Sequence, residues 1–379
     1  MDSYERFVRA LNFEEPDRVA TWEIINNIEL IRLLGGTGSP EEVVPKAYRK
    51  LGIDATRWPV AYPPLEDKIV IRNRYGTQDP NGQGYLICEK PIKYKISARE
   101  ATEWLIETPF KRVEDLYEIE LEPMPDDEIL DEYIPSMEKW KKLYEKEGVV
   151  FCGCLANIFD DCFRIFGIYG WPLFIRAIYT ARDAIRKLMD KFTHVLIIMA
   201  KALAEMDMPA VMYGDDIAYK KGLMMPPKFF REELWPRVKK VIDPLKRKGI
   251  KVLYHSDGDY TSIIPDLIEL GFDGIHSLEP NAGVDIGKVK EQYGDKLVLL
   301  GNIDVTYILT HASTYEVELA VKECIRKAAP GSGFCLGSCT ELLPATKPEN
   351  AITMYKTNLR YGRYSILKRW LISPFHQEE

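Results

Sequence analysis

The chain has 379 residues, of which 46% are hydrophobic and 29% are charged, the usual balance of a globular protein. Its net charge of −7 argues against a nucleic-acid-binding protein, which would normally carry a basic excess. No apolar run approaches the roughly 20 residues of a membrane span. The first residues also lack the basic and apolar regions of a signal peptide. We therefore expect a cytoplasmic protein that binds neither nucleic acid nor membrane.

The N-terminal part predicts a short helix over 4–12 and a first strand over 19–22. Between about 60 and 145, prolines and dense charge interrupt the pattern. Two short apolar runs within it, 68–72 and 85–88, predict a small antiparallel hairpin because Asn81-Gly82-Gln83-Gly84 has turn chemistry. We interpret residues 60–145 as an elaboration packed on a larger domain.

From residue 149 onward, short apolar runs alternate with helical stretches, which is typical of βα units and a parallel sheet. The apolar runs lie at 149–152, 209–213, 251–254, 274–277, 297–300 and 333–336. The helical stretches lie at 171–205, 227–248, 261–270, 285–292 and 314–328. We therefore predict an α/β fold, a (β/α)8 TIM barrel with an N-terminal extension and an inserted elaboration. It would form one domain over residues 1–379.

Polar residues follow five of these strands directly, and in a barrel the carboxyl ends of the strands meet at one rim. We therefore expect a common pocket there. Helix capping is the more ordinary role of two aspartates nearby, Asp304 and Asp285. The five segments are Gly214-Asp215-Asp216, His255-Ser256-Asp257-Gly258, Leu278-Glu279-Pro280, Gly301-Asn302-Ile303-Asp304 and Gly337-Ser338-Cys339-Thr340.

Three of these residues predict a metal site. His255 and Asp257 are two apart and face the same way on an extended segment. With Cys339 from another strand they would offer an imidazole, a carboxylate and a thiolate, a set that suits zinc. Glu279 would be a fourth ligand or a base. The alternative is a histidine that is simply hydrogen-bonded to Asp257.

Other chemistries have less support. The seven cysteines of an apparently cytosolic chain are more typical of buried thiols than of disulfides. The sequence has no G-x-S-x-G element, Walker motif or G-x-G-x-x-G after a strand, so hydrolysis by a serine triad and phosphate or dinucleotide chemistry are disfavoured.

Several motifs in combination carry a family resemblance. They are Arg6-Phe7-Val8-Arg9-Ala10-Leu11, Glu15-Pro16-Asp17-Arg18-Val19, the first four strand-end segments given above, and Pro348-Glu349-Asn350. With these motifs the chain resembles the uroporphyrinogen decarboxylase superfamily, in particular its corrinoid-linked methyltransferase branch. The resemblance implies a (β/α)8 barrel with its pocket at the carboxyl ends of the strands.

The superfamily that the chain resembles includes porphyrinogen decarboxylases, which share an N-terminal arginine-rich segment that holds substrate carboxylates. The matching segment here, 21–27, has no arginine and contains Glu23, which would repel a polycarboxylate. Porphyrin decarboxylation is therefore disfavoured. We expect Trp22 and Asn26 of this segment to contact the substrate, together with Asp215 and Asn302.

The resemblance to thiol-methylating members of the branch implies a His-x-Cys pair and a distant cysteine, which together bind zinc. Here His255 is kept, Asp257 replaces the first cysteine, and either Cys339 or Thr340 matches the second. This harder ligand set suits an oxygen ligand better than a thiolate. The resemblance implies zinc on His255, Asp257 and Cys339.

The corresponding hypothesis is demethylation of a small methyl donor such as an aromatic methyl ether. A corrinoid carried by a partner protein would accept the methyl group. Glu279 or Asp216 would position the substrate or supply a proton.

Two other functions stay open. One is a decarboxylase or lyase of the same superfamily that acts on a small carboxylated substrate. The other is a non-catalytic binder of a small molecule. The sequence leaves open which compound is the donor, the direction of transfer and the oligomeric state, for which a homodimer is one consistent assembly.

Overall fold

The structure is a computed structural model that describes residues 1–57, 66–76, 84–97, 103–167 and 170–367. Eight parallel strands form its central sheet, in the order β1-β8-β7-β6-β5-β4-β3-β2. A bridge between Trp22 and Ala55 joins the two edge strands, so the sheet is a nearly closed barrel and the predicted (β/α)8 fold is confirmed. The strands are β1 (Ala20–Thr21), β2 (Ala55–Arg57), β3 (Val150–Ala156), β4 (Ala210–Gly214), β5 (Lys251–His255), β6 (Gly274–His276), β7 (Val298–Ile303) and β8 (Phe334–Ser338).

Helices surround the barrel and largely match the predicted stretches. The predicted helix over 171–205 is two helices, because Ala181 between them has a non-helical backbone with φ −145° and ψ 42°. No helix in the described part of the chain has the length and apolarity needed to cross a membrane. The α-helices are Ser3–Leu11, Ile28–Gly35, Pro40–Leu51, Asp115–Glu118, Asp126–Lys146, Phe159–Arg164, Gly170–Thr180, Arg182–Ala204, Pro227–Phe229, Trp235–Arg247, Ile264–Leu270, Ile286–Tyr293, Thr314–Ala328 and Pro348–Tyr361, with a π-helix over Phe230–Leu234 and 3-10 turns at Thr261–Ile263 and Pro280–Ala282.

A second, antiparallel sheet lies within the segment predicted as an elaboration. Its strands Lys68–Tyr75 and Leu86–Ile96 pair as the predicted hairpin, which is confirmed, whereas residues 81–83 of the predicted turn lie outside the described residues. Two further strands, Glu103–Glu107 and Leu121–Pro123, pair with the second strand of the hairpin. Sequence reasoning missed both, since each is short and charged.

The inside of the barrel is filled by alternate strand residues, because successive side chains on a strand point to opposite faces. These interior residues include Ala55 of β2, Cys152 of β3, Met212 of β4 and Leu253 of β5. The residues two positions further on therefore face inward as well, at the carboxyl ends of the strands, which we call the barrel mouth. They are Arg57, Cys154, Gly214 and His255.

The junction of β1 and β2, which we call the seam, is held by a buried carboxylate. Asp54 is fully buried, and Nη1 of Arg6 and Nη1 of Arg18 donate to it at 2.7 and 2.8 Å. The backbone N–H and the hydroxyl of Thr21 also donate to Asp54, each at 3.0 Å. The motifs around Arg6 and Arg18 therefore serve closure of the barrel.

We expect Asp54→Asn to lower the free energy of unfolding by about 3 kcal/mol, because it leaves two arginines without their buried counter-charge. Equilibrium unfolding in urea at pH 7 measures this change. Arg49→Gln is the matched control. It breaks an ion pair with Glu147 in which the Arg49 side chain is 68% exposed, and should change stability by less than about 0.5 kcal/mol. Equal stability of Asp54→Asn and the control would contradict the role given to Asp54.

Candidate metal centre and active site

Three side chains converge at the barrel mouth. Asp216 follows β4, His255 ends β5 and Asp257 follows it, and their ligand atoms all lie within 4.8 Å of one another. Nε2 of His255 is 3.9 Å from Oδ1 of Asp216 and 3.8 Å from Oδ1 of Asp257. The backbone N–H of Asp257 donates to Oδ1 of Asp216 at 2.9 Å. One imidazole nitrogen and two carboxylates therefore face a common point, which we call the metal cluster.

His255 is oriented by a second histidine. Its Nδ1 lies 2.7 Å from Nδ1 of His276, its register partner on β6, and both rings are buried. Burial lowers the pKa of both imidazoles well below the usual range, and Arg57 lowers the pKa of His255 further. A neutral His255 that donates its Nδ1 proton to His276 has a free lone pair on Nε2, as a metal ligand requires. His276 was not predicted to belong to the site, although it shares the inward face of β6 with Gly274.

The acids of the barrel mouth repel one another. Burial and the negative charges of Asp216 and Glu279 raise the pKa of Asp257 well above its usual range, although 40% of its side chain is exposed. Burial also raises the pKa of Glu279, together with the charges of Asp216 and Asp304. Asp257 therefore lies in a recess that solvent can reach and that favours a cation or a proton.

This donor set fits zinc. Catalytic zinc sites use three nitrogen, oxygen or sulfur ligands from the protein and leave one position open. Ligand atoms about 2 Å from a tetrahedral ion are roughly 3.4 Å apart, so the distances of 3.8 and 3.9 Å need only a small inward rotation of the side chains. The structure thus brings the predicted ligands His255 and Asp257 together, with Asp216 as the third.

The third predicted ligand, Cys339, is not in the group found among the described residues. Its side chain is buried, and burial together with the charges of Glu279, Asp257 and Asp304 raises the pKa of the thiol well above its usual range. Because β8 ends at Ser338, the alternation that would turn Cys339 inward does not continue. Thr340 points to the cluster instead, with its hydroxyl 3.5 Å from Oδ2 of Asp257, which agrees with the other match considered from the sequence.

Asp215, which was predicted to contact the substrate, is instead buried and bonded to neighbouring parts of the fold. Only 1% of it is exposed, and Tyr213 donates a hydrogen bond to its carboxylate at 2.9 Å. The same carboxylate accepts, at 3.0 Å each, the backbone N–H groups that begin the helix Phe159–Arg164, namely those of Ile158, Phe159 and Asp160. The helix capping predicted for Asp285 is confirmed, since Asp285 is the N-cap of the helix Ile286–Tyr293. Asp304 instead accepts backbone N–H groups of a turn, and Ser313 is the N-cap of the next helix.

Asn302 supports the segment that carries Glu279. Its Nδ2 donates to the carbonyl of Leu278 at 3.0 Å, and its Oδ1 accepts from the thiol of Cys324 at 3.2 Å. Leu278 has a φ of 57°, a conformation that costs a non-glycine residue energy and that neighbouring contacts must stabilise. Asn302 therefore positions Glu279, and both ends of its amide are already bonded.

The two predicted contacts from the N-terminal segment differ in exposure. Trp22 is fully buried, stacks on Phe7 and has its ring centroid 6.4 Å from that of His276, so it forms the floor beneath the imidazole. Asn26 is partly exposed and donates to Oε1 of Glu341 at 3.2 Å. Asn26 is thus the one residue of the four predicted substrate contacts that reaches the surface of the barrel mouth.

Glu23 does not face a ligand. It is 1% exposed, and its carboxylate accepts hydrogen bonds from the backbone and hydroxyl of Ser338, from Tyr355 and from the N–H of Ile24. The expectation that Glu23 repels a polycarboxylate is therefore wrong, because its charge is enclosed between β1 and β8. A cation that sequence reasoning missed, Arg57, does face the barrel mouth from the end of β2, a strand that was not predicted.

The fold and the metal cluster define a (β/α)8 barrel with a candidate active site at the carboxyl ends of its strands. The chain belongs to the uroporphyrinogen decarboxylase (URO-D) family, whose profile matches residues 104–361, so the predicted superfamily is confirmed.

Uroporphyrinogen decarboxylases of Geobacter metallireducens and Geobacter sulfurreducens are each 27% identical to this chain over 190 residues, or 50% of it. The chain spans 52% of the length of these relatives. The structure of a methyltransferase from Methanosarcina mazei is similar in fold, with a TM-score of 0.66 and 19% identity, and covers 95% of this chain and 99% of that one.

Glu23 should make stability depend on pH. Burial raises its pKa from 4.5 to about 7 in the folded protein, so its contribution is complete below pH 4.5 and is lost as the pH rises through 7. The stability difference between wild type and Glu23→Gln should therefore fall by about 2.5 kcal/mol from pH 5 to pH 8. Urea unfolding at a series of pH values measures this difference, and a constant difference would show that Glu23 has an ordinary pKa.

The metal cluster should bind zinc through Asp216 and not through Cys339. We expect Asp216→Asn to weaken zinc binding by more than about 100-fold, since loss of an outer partner alone costs about 10–100-fold. Cys339→Ser should bind as wild type does. Competition with a chromophoric chelator at pH 7 gives both affinities. Loss of zinc from Cys339→Ser, with retention by Asp216→Asn, would restore the ligand set expected from the sequence.

Proposed function

We propose that the protein transfers a methyl group from a small methylated donor, such as an aromatic methyl ether, to a corrinoid carried by a partner protein. The observation that carries the proposal is the convergence of Nε2 of His255 with the carboxylates of Asp216 and Asp257. This nitrogen and oxygen set suits an ether oxygen better than a thiolate. Similarity in fold to a solved methyltransferase supports the proposal by analogy.

Cleavage of a methyl ether leaves negative charge on the oxygen, and this charge must be neutralised. Zinc held by Asp216, His255 and Asp257 would supply Lewis-acid chemistry at that oxygen. Because its pKa is raised, Glu279 is the residue proposed to hold a proton and deliver it to the departing oxygen. Asn302 and the turn at Leu278 keep Glu279 at the barrel mouth.

The partner would dock over the barrel mouth. The side chains of Asp216 and Asp257 are 35% and 40% exposed, so the metal cluster is open to solvent on this side. A corrinoid carried by another protein needs this approach, since the methyl group must pass directly from donor to acceptor. The donor would therefore lie in the interior of the barrel mouth, and the partner protein on its outer side.

The test measures methyl transfer from a panel of aromatic methyl ethers to a reduced corrinoid protein. The reaction is monitored by the absorbance change that accompanies cobalt methylation. The zinc-supplied protein should be active, and Glu279→Gln should lower kcat by about 10²–10⁴-fold with unchanged zinc affinity. Glu349→Gln, in the first turn of the helix Pro348–Tyr361, is the control with unchanged kcat. Failure of the zinc-supplied protein to demethylate any compound of the panel would reject this substrate class.

Decarboxylation of a small carboxylated substrate is the second candidate function. Two observations favour it: the curated relatives are decarboxylases, and Arg57 places a cation beside the metal cluster. Release of CO2 from a carboxylic acid, without corrinoid, would establish this function in place of methyl transfer. Tight binding without turnover in either assay would identify a non-catalytic binder.

A further inference from the structure

We infer that Arg57 forms a carboxylate-binding site in the barrel mouth, so that the small molecule bound beside the metal cluster carries a carboxylate group. This inference deepens the proposed function, on which it rests for the identity of that molecule as the methyl donor. The site is defined by the position of Arg57, by its open hydrogen-bonding edge and by the residue that gives it room.

Arg57 reaches the interior because Gly214 has no side chain. A Cβ added at Gly214 would lie 3.2 Å from Nη1 of Arg57 and 3.6 Å from Cδ2 of His255. The guanidinium and the imidazole are therefore neighbours across this glycine, one on β2 and the other on β5. A molecule held by Arg57 is thereby placed next to the metal cluster.

One edge of the guanidinium is not satisfied. Nη1 donates to Sγ of Cys154 at 3.3 Å, and thiol sulfur is a weak acceptor. Nε is buried and has no hydrogen-bond partner within the described residues. Within the described residues, Arg57 also forms no ion pair with a carboxylate. A buried charged donor without an acceptor is unfavourable, so a bound acceptor would stabilise it.

The open edge has the shape that a carboxylate fits. Nε and Nη2 of a guanidinium donate in parallel, and a carboxylate accepts both bonds with its two oxygens. The same chain uses this edge elsewhere: Nε and Nη2 of Arg231 donate to the two oxygens of Asp266 at 2.8 and 3.0 Å. Arg57 as a whole is only partly buried, so a carboxylate that reaches the guanidinium from the barrel mouth would bind Nε once a small movement of the side chain uncovers this buried atom.

The nearby acids do not fill this edge. Burial raises the pKa of Glu341, and the charge of Arg57 only opposes this shift. Oε1 of Glu341 accepts from Asn26, and Glu341 forms no hydrogen bond with Arg57 among the described residues. The two carboxylates of the metal cluster face His255. A ligand carboxylate on Arg57 would thus leave the rest of the molecule directed towards the cluster.

The experiment compares binding of 3-methoxybenzoate with that of the neutral 3-methoxybenzamide by isothermal titration calorimetry, without corrinoid. Because a carboxylate also binds zinc, each titration is made with and without the metal. Wild type should bind the carboxylate at least about 10-fold more tightly than the amide in both conditions. Arg57→Gln should lose this preference while its affinity for the amide stays the same.

Two further variants keep the result interpretable. Arg57→Lys keeps the charge without the two-pronged edge, and its preference should lie between those of wild type and Arg57→Gln. Arg49→Gln, at the exposed pair with Glu147, should bind as wild type does. If Arg57→Gln does not fold, Arg57→Lys decides, and an undiminished preference in that variant overturns the site.

The inference is overturned if wild type binds both compounds equally, binds neither, or owes its preference to zinc alone. Failure of the proposed function is a separate result. A carboxylate preference that depends on Arg57, with no methyl transfer from any ether, supports the site and rejects the methyltransferase. Equal kcat/KM of wild type and Arg57→Gln with methoxybenzoates supports the methyltransferase and rejects the site.

Discussion

The closure of the barrel depends on one buried carboxylate. β1 has two residues and β2 has three, so backbone hydrogen bonds contribute little to the seam between them. The seam is held instead by the ionic and hydrogen bonds that Arg6, Arg18 and Thr21 form with Asp54. Arg57 lies three residues later, so this short strand joins the clamp at one end of the barrel to the guanidinium at the other. If the seam opened, Arg57 would lose its place beside His255.

The sequence predicts the parts of the fold that have a strong hydrophobic pattern. The apolar runs of β4, β5 and β7 are unambiguous, and the polar residues after them predict where the chemistry lies. β2 was not predicted because Asp54, Thr56 and Arg57 interrupt its pattern, and the partners of Asp54 and Arg57 are distant in sequence. Arg57 was missed together with its strand.

Where the arrangement of the site differs from the prediction, the cause is the exact length of a strand. The choice between Cys339 and Thr340 depends on where β8 ends, and sequence patterns define strand ends poorly. His276 illustrates the opposite case. Its strand was predicted, but its inward direction follows only from the register that sets it opposite His255. Spacing alone was sufficient to predict that His255 and Asp257 lie together, because both belong to one short segment.

Asp215 and Asp216 are chemically identical neighbours with different environments. The first is enclosed and bonded to the start of the helix Phe159–Arg164, and the second faces the metal cluster. One peptide unit therefore links the start of that helix to a proposed ligand. We therefore expect a change in how this helix packs to shift Asp216. For protein engineering, we expect substitutions in this helix to change the metal affinity while every proposed ligand is left in place.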